Sequence, residues 1–460
     1  MRPRLEHPRD RLATVLGRQP AASARELAAI LGVSVPTLHR MLAELDGRVL
    51  AAGKARRVRY ALRRPLRGVE AELPVYRVDR AGRIEQVASL SPMMPRGCRM
   101  DLAVIGWPAP EEARDGWWEG LPYPLYDMRP QGYMGRQFAR AEHRRFGVAE
   151  NPEEWDDDDV LHVLSQTGSD VSGDLVVGEA ACLQWQENRS VMPEPLEAEG
   201  IGEAYGQLAE RAVAAGIAGS SAAGEFPKFS AMRRLPGSAT PHVLVKFSGA
   251  DDSATVTRWA DLLVCEHLAL ECAANMPGVE SAASRIVRHA GRTFLEVERF
   301  DRHGDFGRSP LCSLGTLDAA LLGADTRDWG RLAERFTAAG LLSPADVHRI
   351  ECLWWYGRLI ANIDMHTGNL SFRPAGGRLA LAPAYDMLPM QYAPLPGGEL
   401  PVREFKPPPP LPQQRPAWRI ACEAAQAFWS LAASDGRISA GFREVCGVNG
   451  KRLSEAAMQV

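Results

Sequence analysis

Two carboxylates and one amide lie close together in the last third of the chain. Asp364, His366 and Asn369 form an Asp-x-His-x-x-Asn segment, and Asp386 follows 22 residues after the first carboxylate. Phosphoryl transfer uses a carboxylate that accepts the proton of the acceptor hydroxyl, and an Asn and an Asp that hold magnesium against the phosphates of ATP. The residue types and their order therefore predict phosphoryl transfer with ATP and Mg²⁺ as cofactors.

The elements around this segment favour that interpretation over a chance match in a loop. The apolar run 352–360 predicts a buried helix before the segment. After it, a short strand at 369–372, a turn at Gly376-Gly377 and a strand at 379–381 predict a hairpin between the two carboxylates. Protein kinases also place a metal-binding Asp shortly after the catalytic loop.

An upstream group of residues has the types needed for the other half of such a site. Residues 219–228 form a loop of small residues, and Lys246 ends the apolar strand predicted at 241–247. A lysine there needs a partner, and Glu266 on the helix predicted at 258–274 is the candidate. In kinases a loop cradles the phosphates, a Lys binds them and a Glu orients that Lys. The alternative is a surface loop beside a lysine at a strand edge.

The strand predicted at 292–302 leads from this region toward the C-terminal part. Its exposed backbone is expected to hydrogen-bond the edge of an adenine ring. The remainder of the chain is predicted to be largely helical with loops.

Length and composition indicate an ordinary globular protein. The 460 residues are 45% hydrophobic and 24% charged, enough for about two to four domains. The eight cysteines are scattered without a C-x-x-C pair, which indicates reduced thiols. No apolar run reaches transmembrane length and the Arg-rich N-terminus lacks a secretory signal pattern. We therefore expect a cytoplasmic protein with no membrane partner.

The charge is distributed unevenly along the chain. Residues 1–64 contain 14 Lys and Arg but 5 Asp and Glu, whereas the remainder contains 40 and 52 of these, for a net charge of −3 overall. A short basic module on an acidic body indicates that the module binds nucleic acid.

The sequence pattern of residues 9–62 predicts a winged helix-turn-helix. Ser23 and Glu26 form a capping box at the start of a second helix, and residues 35–45 form a third, the recognition helix. Two strands, 49–51 and 58–62, follow, with a basic tip between them. A packing or dimerisation domain is the alternative. The candidate DNA-binding residues are Thr37, His39 and Arg40 on the third helix and Lys54, Arg56 and Arg57 at the tip.

The middle of the chain is less legible. Residues 65–110 are rich in strand patterns, with a hairpin predicted from 75–79 and 84–90. The acidic run 153–159 is predicted to be the solvated start of a helix, where carboxylates suit the helix dipole. A metal site is the alternative for this run.

With these residues in view, the chain resembles the HipA family of serine/threonine kinase toxins from bacterial toxin–antitoxin systems over roughly residues 70–455. Segments 297–302 and 364–372 carry most of the resemblance. The N-terminal winged helix resembles the subgroup called YjjJ or HipH. The resemblance implies an α+β fold: a kinase-like pair of lobes, the first β-rich and the second mainly helical, behind a winged helix. The implied domains are 1–64, a HipA N-terminal-like subdomain 65–200, the kinase N-lobe 201–305 and the helical C-lobe 306–460.

The resemblance also implies a role for each matching position. Asp364 is the implied catalytic base, Lys246 binds the phosphates, and Asn369 and Asp386 hold Mg²⁺. Phosphorylation of Ser221 or its neighbour Ser220 is implied to eject the phosphate loop and silence the kinase. Gly368 departs from the family, which has a Lys there. The other nucleotide-binding positions are the phosphate loop Ala223, Gly224, Glu225, Phe226, Pro227 and Lys228, the adenine-holding backbone of Glu298, Arg299 and Phe300, and His366 and Tyr385.

The implied function is an ATP- and magnesium-dependent protein kinase of toxin type, with targets such as aminoacyl-tRNA synthetases. The fused module would bind the protein's own promoter and would replace or supplement a separate antitoxin. A DNA-binding regulator with an inactive, kinase-like sensor is the alternative, and a nuclease is a third. The complete set of Lys246, Asp364, Asn369 and Asp386 favours an active kinase, since a nuclease would leave Lys246 without a role.

Overall fold

The computed structural model describes residues 8–19, 21–45, 47–69, 72–191, 194–215 and 226–460. Helices and sheets are mixed along the chain. Within these ranges, no helix combines the length and the apolar character needed to cross a membrane. All eight cysteines are buried free thiols.

The N-terminal module consists of three helices and a three-stranded sheet of order β1-β3-β2. The predicted capping box is confirmed: Ser23 Oγ accepts from the N–H of Glu26, and the Glu26 carboxylate accepts from the N–H of Ser23 at 2.7 Å. Gly32 ends the second helix at φ +67°. The elements are α1 Pro8–Leu16, β1 Ala22–Ser23, α2 Ala24–Leu31, α3 Val35–Glu44, β2 Val49–Ala52 and β3 Arg59–Leu62.

The next region contains a five-stranded sheet of order β7-β6-β5-β4-β8. The hairpin predicted near residues 75–90 is confirmed, with a bulge between Val75 and Tyr76. Short strands, the predicted helix α5, and the helices α4 and α6, which the sequence did not predict, complete the region. Its elements are β4 Leu73–Val78, β5 Ile84–Pro92, β6 Cys98–Arg99, β7 Trp117–Trp118, α4 Gly132–Phe146, α5 Asp157–Thr167, β8 Leu175–Val177 and α6 Glu179–Ser190.

The acidic run at the start of α5 holds the N-terminal module. Asp156 caps α5 as predicted, accepting a hydrogen bond from the N–H of Asp159. Asp158 and Asp159, however, bind Arg64 and Arg67. The prediction of a solvated helix start is therefore confirmed for Glu153, Glu154 and Asp156, which are exposed, and wrong for Asp158 and Asp159. A buried apolar cluster completes the contact; its members are Ala21, Leu50, Ala52, Ala61, Met93 and Trp117.

A four-stranded antiparallel sheet of order β11-β12-β10-β9 follows, with α8 packed against it. Helix α8 begins earlier than predicted because Ser253 caps it. The strand predicted at 292–302 was too long, because the observed strand ends at Glu298. The chain then turns, and the N–H of Arg302 donates a hydrogen bond to the carbonyl of Arg299. The elements are α7 Ile201–Ala215, β9 Lys228–Met232, β10 His242–Phe247, α8 Ala254–Ala273, β11 Ser284–His289 and β12 Arg292–Glu298.

The remaining region is mainly helical. Helix α11 is buried on most sides, as predicted for the run before the Asp-His-Asn segment. The indole N–H of Trp429 on α12 donates to the carbonyl of Leu359 at 3.0 Å, which fixes the end of α11. The elements are β13 Arg302–His303, β14 Gly307–Arg308, β15 Cys312–Ser313, α9 Leu314–Leu321, α10 Trp329–Ala338, α11 Pro344–Leu359, β16 Ser371–Ala375, β17 Arg378–Leu381, α12 Arg415–Ser434 and α13 Ala440–Ala457.

Candidate active site

Lys246 reaches the buried side of α8. Strand β10 alternates, so Val243, Val245 and Phe247 are buried on one face and Lys246 lies on the other. Its Nζ atom donates to both carboxylate oxygens of Glu266, at 2.7 and 2.8 Å. Glu266 is only 1% exposed, so this ion pair supplies the partner that a lysine in such a strand requires.

The same ammonium group also contacts the second predicted carboxylate. Lys246 Nζ lies 2.5 Å from Asp386 Oδ1. The backbone of Asp386 has φ +59°, a left-handed conformation that is uncommon for residues other than glycine. The structure thus brings together Lys246, Glu266 and Asp386 from three separate segments.

The charges of these groups stabilise one another. Burial disfavours the charged form of Lys246, but the carboxylates of Asp386 and Glu266 outweigh it and raise the pKa of the ammonium group. Burial likewise opposes ionisation of Asp386, yet Lys246 and then Lys228 hold its pKa below the ordinary value. Burial raises the pKa of Glu266, against the pull of Lys246. Lys228 faces Lys246 across the β9–β10 register.

The Asp-x-His-x-x-Asn segment leaves α11 as a loop that amides hold in shape. The Oδ1 atom of Asn362 accepts from the N–H of Asp364 at 3.0 Å, and Nδ2 of Asn369 donates to the Asp364 carbonyl at 2.9 Å. The two amides are buried, whereas the side chain of Asp364 is exposed. The backbone of Asp364 is therefore fixed, and nothing among the described residues binds its carboxylate. Sequence analysis did not single out Asn362.

His366 and Tyr385 hold the second half of the loop. The Nδ1 atom of exposed His366 accepts from the N–H of Gly368 at 3.1 Å. The hydroxyl of Tyr385 donates to the Gly368 carbonyl at 2.6 Å and pairs with the hydroxyl of Ser371 at 2.7 Å. Burial raises the pKa of Tyr385, which keeps this hydroxyl a donor at neutral pH.

The backbone after β12 is partly engaged by the sheet. The N–H of Glu298 donates to Ala283, and the N–H of Arg299 donates to His242. The N–H of Phe300 donates to no acceptor in the part of the chain that the structure describes. The Phe300 ring lies 5.6 Å from that of Tyr385. An unengaged N–H beside two aromatic rings is suited to a planar heterocycle.

The side chain of Arg299 forms structural ion pairs. It binds Asp170 and Asp301, and the neighbouring Arg302 binds the same two carboxylates. These bonds join the connection after β12 to the end of α5. Sequence analysis missed this network, because nothing local to either segment indicates the other.

The phosphate loop lies largely outside the described residues. Ser220, Ser221, Ala223, Gly224 and Glu225 are all in that gap, so the predictions made for them remain predictions. Beyond the gap, the ring of Phe226 packs edge-on against Trp259 at 4.6 Å, with Lys246 Nζ 5.9 Å from its centroid. Pro227 and Lys228 lead into β9.

The predicted protein ligands for magnesium are the side chains of Asn369 and Asp386. Among the described residues, no group of three or more His, Cys, Asp and Glu side chains could hold a metal ion. Because Asn369 uses its amide N–H for the Asp364 carbonyl, its side-chain oxygen is the atom that could serve as a ligand, and the Asp386 carboxylate would supply the other. Two oxygen ligands from the protein suit Mg²⁺, which is bound through one or two such groups plus substrate phosphates.

The candidate DNA-binding residues lie on the surface of the N-terminal module. His39 and Arg40 are exposed on α3, and Thr37 is half-buried. Lys54 and Arg57 are exposed at the tip between β2 and β3. The backbone of Arg56 lies in the same short turn.

Comparison with known proteins places two regions in named families. A model described as "YjjJ-like toxin, middle domain" matches residues 69–186, and one described as "HipA-like C-terminal domain" matches residues 220–439. Toxin YjjJ of Escherichia coli (strain K12) is 37% identical to this chain over 428 residues, which are 93% of this chain and 94% of that protein.

Two solved structures also match the chain, both at low sequence identity. One is the HipA, HipB and operator DNA complex of a Shewanella oneidensis MR-1 toxin–antitoxin system, with 14% identity, a TM-score of 0.48 and coverage of 84% of this chain and 97% of that chain. The other is the Helicobacter pylori proinflammatory kinase CtkA, with 12% identity, a TM-score of 0.34 and coverage of 50% and 88%.

Proposed function

Since this chain belongs to the YjjJ family of HipA-like toxins, we propose that it is an ATP- and magnesium-dependent serine/threonine protein kinase. The sheet β9–β12 with α8 serves as the nucleotide-binding lobe, and the region after residue 305 serves as the helical lobe. The N-terminal module binds DNA, with the protein's own promoter as the expected site. A separate antitoxin is a further expected partner.

The observation that carries this proposal is the contact of Lys246 with both Glu266 and Asp386. A strand lysine, a helix glutamate and a loop aspartate in this arrangement are the parts that hold and polarise the phosphates in protein kinases. A purely structural ion pair needs one carboxylate. The second carboxylate is that of Asp386, whose side chain is 33% exposed. This exposure supports a role toward a ligand.

The remaining residues account for the other requirements of transfer. Asp364 presents an exposed carboxylate on a loop fixed by Asn362 and Asn369, as a base for the acceptor hydroxyl must be. Lys246 and Lys228 face the side where the phosphates would lie. Asn369 and Asp386 would hold Mg²⁺, which supplies charge neutralisation at the phosphates when bound. The Phe300 N–H is free to donate to an adenine edge.

Phosphate incorporation from γ-labelled ATP with Mg²⁺ tests the proposal. The native chain, first shown by mass to be unphosphorylated, is compared with Asp364→Ala. Label on the native chain or on an added protein, absent with the variant, supports the kinase. An aminoacyl-tRNA synthetase is the first acceptor to add, and mapping the label to Ser220 or Ser221 would support the expected silencing step.

Two other outcomes separate the alternatives. A protein that binds ATP but transfers no phosphate to itself or to the acceptors would be the DNA-binding regulator with a kinase-like sensor. A protein that ignores a non-hydrolysable ATP analogue but cleaves DNA with Mg²⁺ would be a nuclease.

A further inference from the structure

Asp127 binds a segment from a distant part of the chain. It lies in the connection before α4, and its carboxylate accepts three hydrogen bonds from the start of α9. The donors are the N–H of Ser313 at 2.5 Å, the hydroxyl of Ser313 at 3.0 Å and the hydroxyl of Thr316 at 2.7 Å. Three donors on one carboxylate hold its partner segment in a single position.

That partner segment packs directly against the catalytic loop. Ser313 pairs with Ser371 in the β15–β16 ladder, and the N–H of Leu314 donates to the carbonyl of Leu370 at 2.7 Å. A side chain added at Gly315 would come within 2.7 Å of Thr367 Oγ1. Residues 313–315 therefore lie against both Thr367 and the strand that follows Asn369.

We propose that Asp127 is a positioning residue for phosphoryl transfer, which fixes the loop carrying Asp364 and Asn369 through the start of α9. The inference rests on the proposed kinase function. It gives the YjjJ-like middle domain, which contains Asp127, a direct part in the active site. A carboxylate accepts all three bonds with its full negative charge, whereas an amide has a single accepting oxygen and no charge, so the hydroxyls of Ser313 and Thr316 would have to reorient to accept from its N–H₂ group.

The test compares Asp127→Asn with Asp318→Asn in the full chain. Asp318 is a matched control: it is 7% exposed on α9 and accepts a hydrogen bond from the N–H of Ala324 at 3.0 Å, and among the described residues its side chain makes no bond to the catalytic loop. For Asp127→Asn we expect kcat to fall about 10- to 100-fold, as displacement of catalytic groups by about 1 Å does. The KM for ATP should change much less than kcat, because Lys246 and the backbone near Phe300 are unaffected and, of the predicted nucleotide and metal contacts, mainly Asn369 shifts with the loop. Asp318→Asn keeps both constants within about twofold.

Thr316→Val provides a second variant, since it removes one hydroxyl of the three donors. This milder variant provides the test if Asp127→Asn does not fold. We expect it to lower kcat by a smaller factor, with little change in the KM for ATP. Equal kinetics for Asp127→Asn and Asp318→Asn, or native kinetics for Thr316→Val in a folded protein, would overturn the proposal.

Hydrogen exchange separates this proposal from the kinase proposal. If the native chain transfers no phosphate, amide exchange over residues 360–372 still reports on Asp127. Faster exchange there in Asp127→Asn than in Asp318→Asn, with β12 unchanged, supports the positioning role in a non-kinase protein. Equal exchange overturns it.

Discussion

Lys246 and Asp386 are in contact although 140 residues separate them in the chain. Lys246 is therefore shared between Asp386 at the surface and Glu266 in the interior, and these two carboxylates depend on it differently. The Asp386 side chain is 33% exposed, so without Lys246 water or a bound cation could compensate its charge. The Glu266 side chain is 1% exposed, so water cannot compensate its charge. Loss of Lys246 is thus expected to affect both the proposed transfer and the stability of the fold.

Lys246→Met is expected to abolish phosphate transfer and to lower the free energy of unfolding by about 3 kcal/mol at pH 7.5, because it leaves a buried carboxylate without its counterion. The loss should be smaller at pH 5, since burial raises the pKa of Glu266 and the orphaned carboxyl can take up a proton. Urea unfolding at both pH values measures it.

Lys406→Met is the control for this variant, because Lys406 is 81% exposed and its ion pair with Glu404 is long, at 3.7 Å. It should leave both transfer and unfolding unchanged. Equal destabilisation by Lys246→Met at pH 5 and pH 7.5 would contradict the role assigned to Glu266.

Asp386→Asn and Asp364→Asn are expected to separate metal binding from proton transfer. Both should lower transfer by about 10²-fold or more. Only Asp386→Asn should remove the strengthening of ATP binding by Mg²⁺, because Asp364 is predicted to act on the acceptor hydroxyl. Fluorescence titration of a nucleotide analogue with and without Mg²⁺ measures the difference. Identical magnesium dependence in the two variants would reject the assigned roles.

The parts of the site predicted from the sequence are those with a local signal. A lysine at the end of an apolar strand implies a buried partner, and the partner was found on the next helix, as predicted. The capping box at Ser23 and the hairpin between Asp364 and Asp386 are likewise encoded within a few residues. Their chemical roles remain predictions.

The parts that the sequence did not predict depend on contacts between distant segments. Asp127 and Ser313 are 186 residues apart, and no periodicity links them. The acidic run at α5 looked like a solvated face because its partner arginines lie 92 and 94 residues earlier. The end of β12 at Glu298 was missed because the tertiary network of Arg299 and Arg302, not local propensity, turns the chain there.

Asp174→Asn is expected to change how stability depends on pH. Burial raises the pKa of Asp174 to about 6, against the pull of Arg77. Between about pH 4 and pH 6 the folded state holds a proton on Asp174 that the unfolded chain has released. The contribution of Asp174 to the free energy of unfolding is therefore fully present below about pH 4. It is lost as the pH rises to about 6. The free energy of unfolding of the native chain, minus that of the variant, should fall by about 2–3 kcal/mol over that interval. Urea titrations from pH 4 to 7.5 measure it, and Asp252→Asn, at an exposed site, should give a flat difference.

Lys54→Ala and Arg40→Ala are expected to weaken DNA binding in different ways. Lys54, at the tip, is predicted to contact phosphate, so its loss should weaken all sequences equally and reduce the salt slope by about 1. Arg40, on α3, is predicted to read bases, so its loss should reduce discrimination between promoter and scrambled DNA. Mobility shifts at several salt concentrations measure both. Arg83→Ala, at a site 83% exposed outside the module, is the control. Equal loss on both DNAs for Arg40→Ala would reject base readout.

Arg64→Ala and Asp158→Ala are expected to loosen the N-terminal module from the middle domain. Arg64 and Asp158 are 15% and 29% exposed and form an ion pair beside the buried cluster around Trp117, so a double-mutant cycle should give a coupling of about 1 kcal/mol. The same cycle on the exposed pair Arg83 and Asp79 should give less. Each single variant should also speed proteolytic cleavage near residues 62–69, because the ion pair helps to hold this segment against the middle domain. If the single variants are cleaved at the native rate, the apolar cluster holds the module without help from this ion pair.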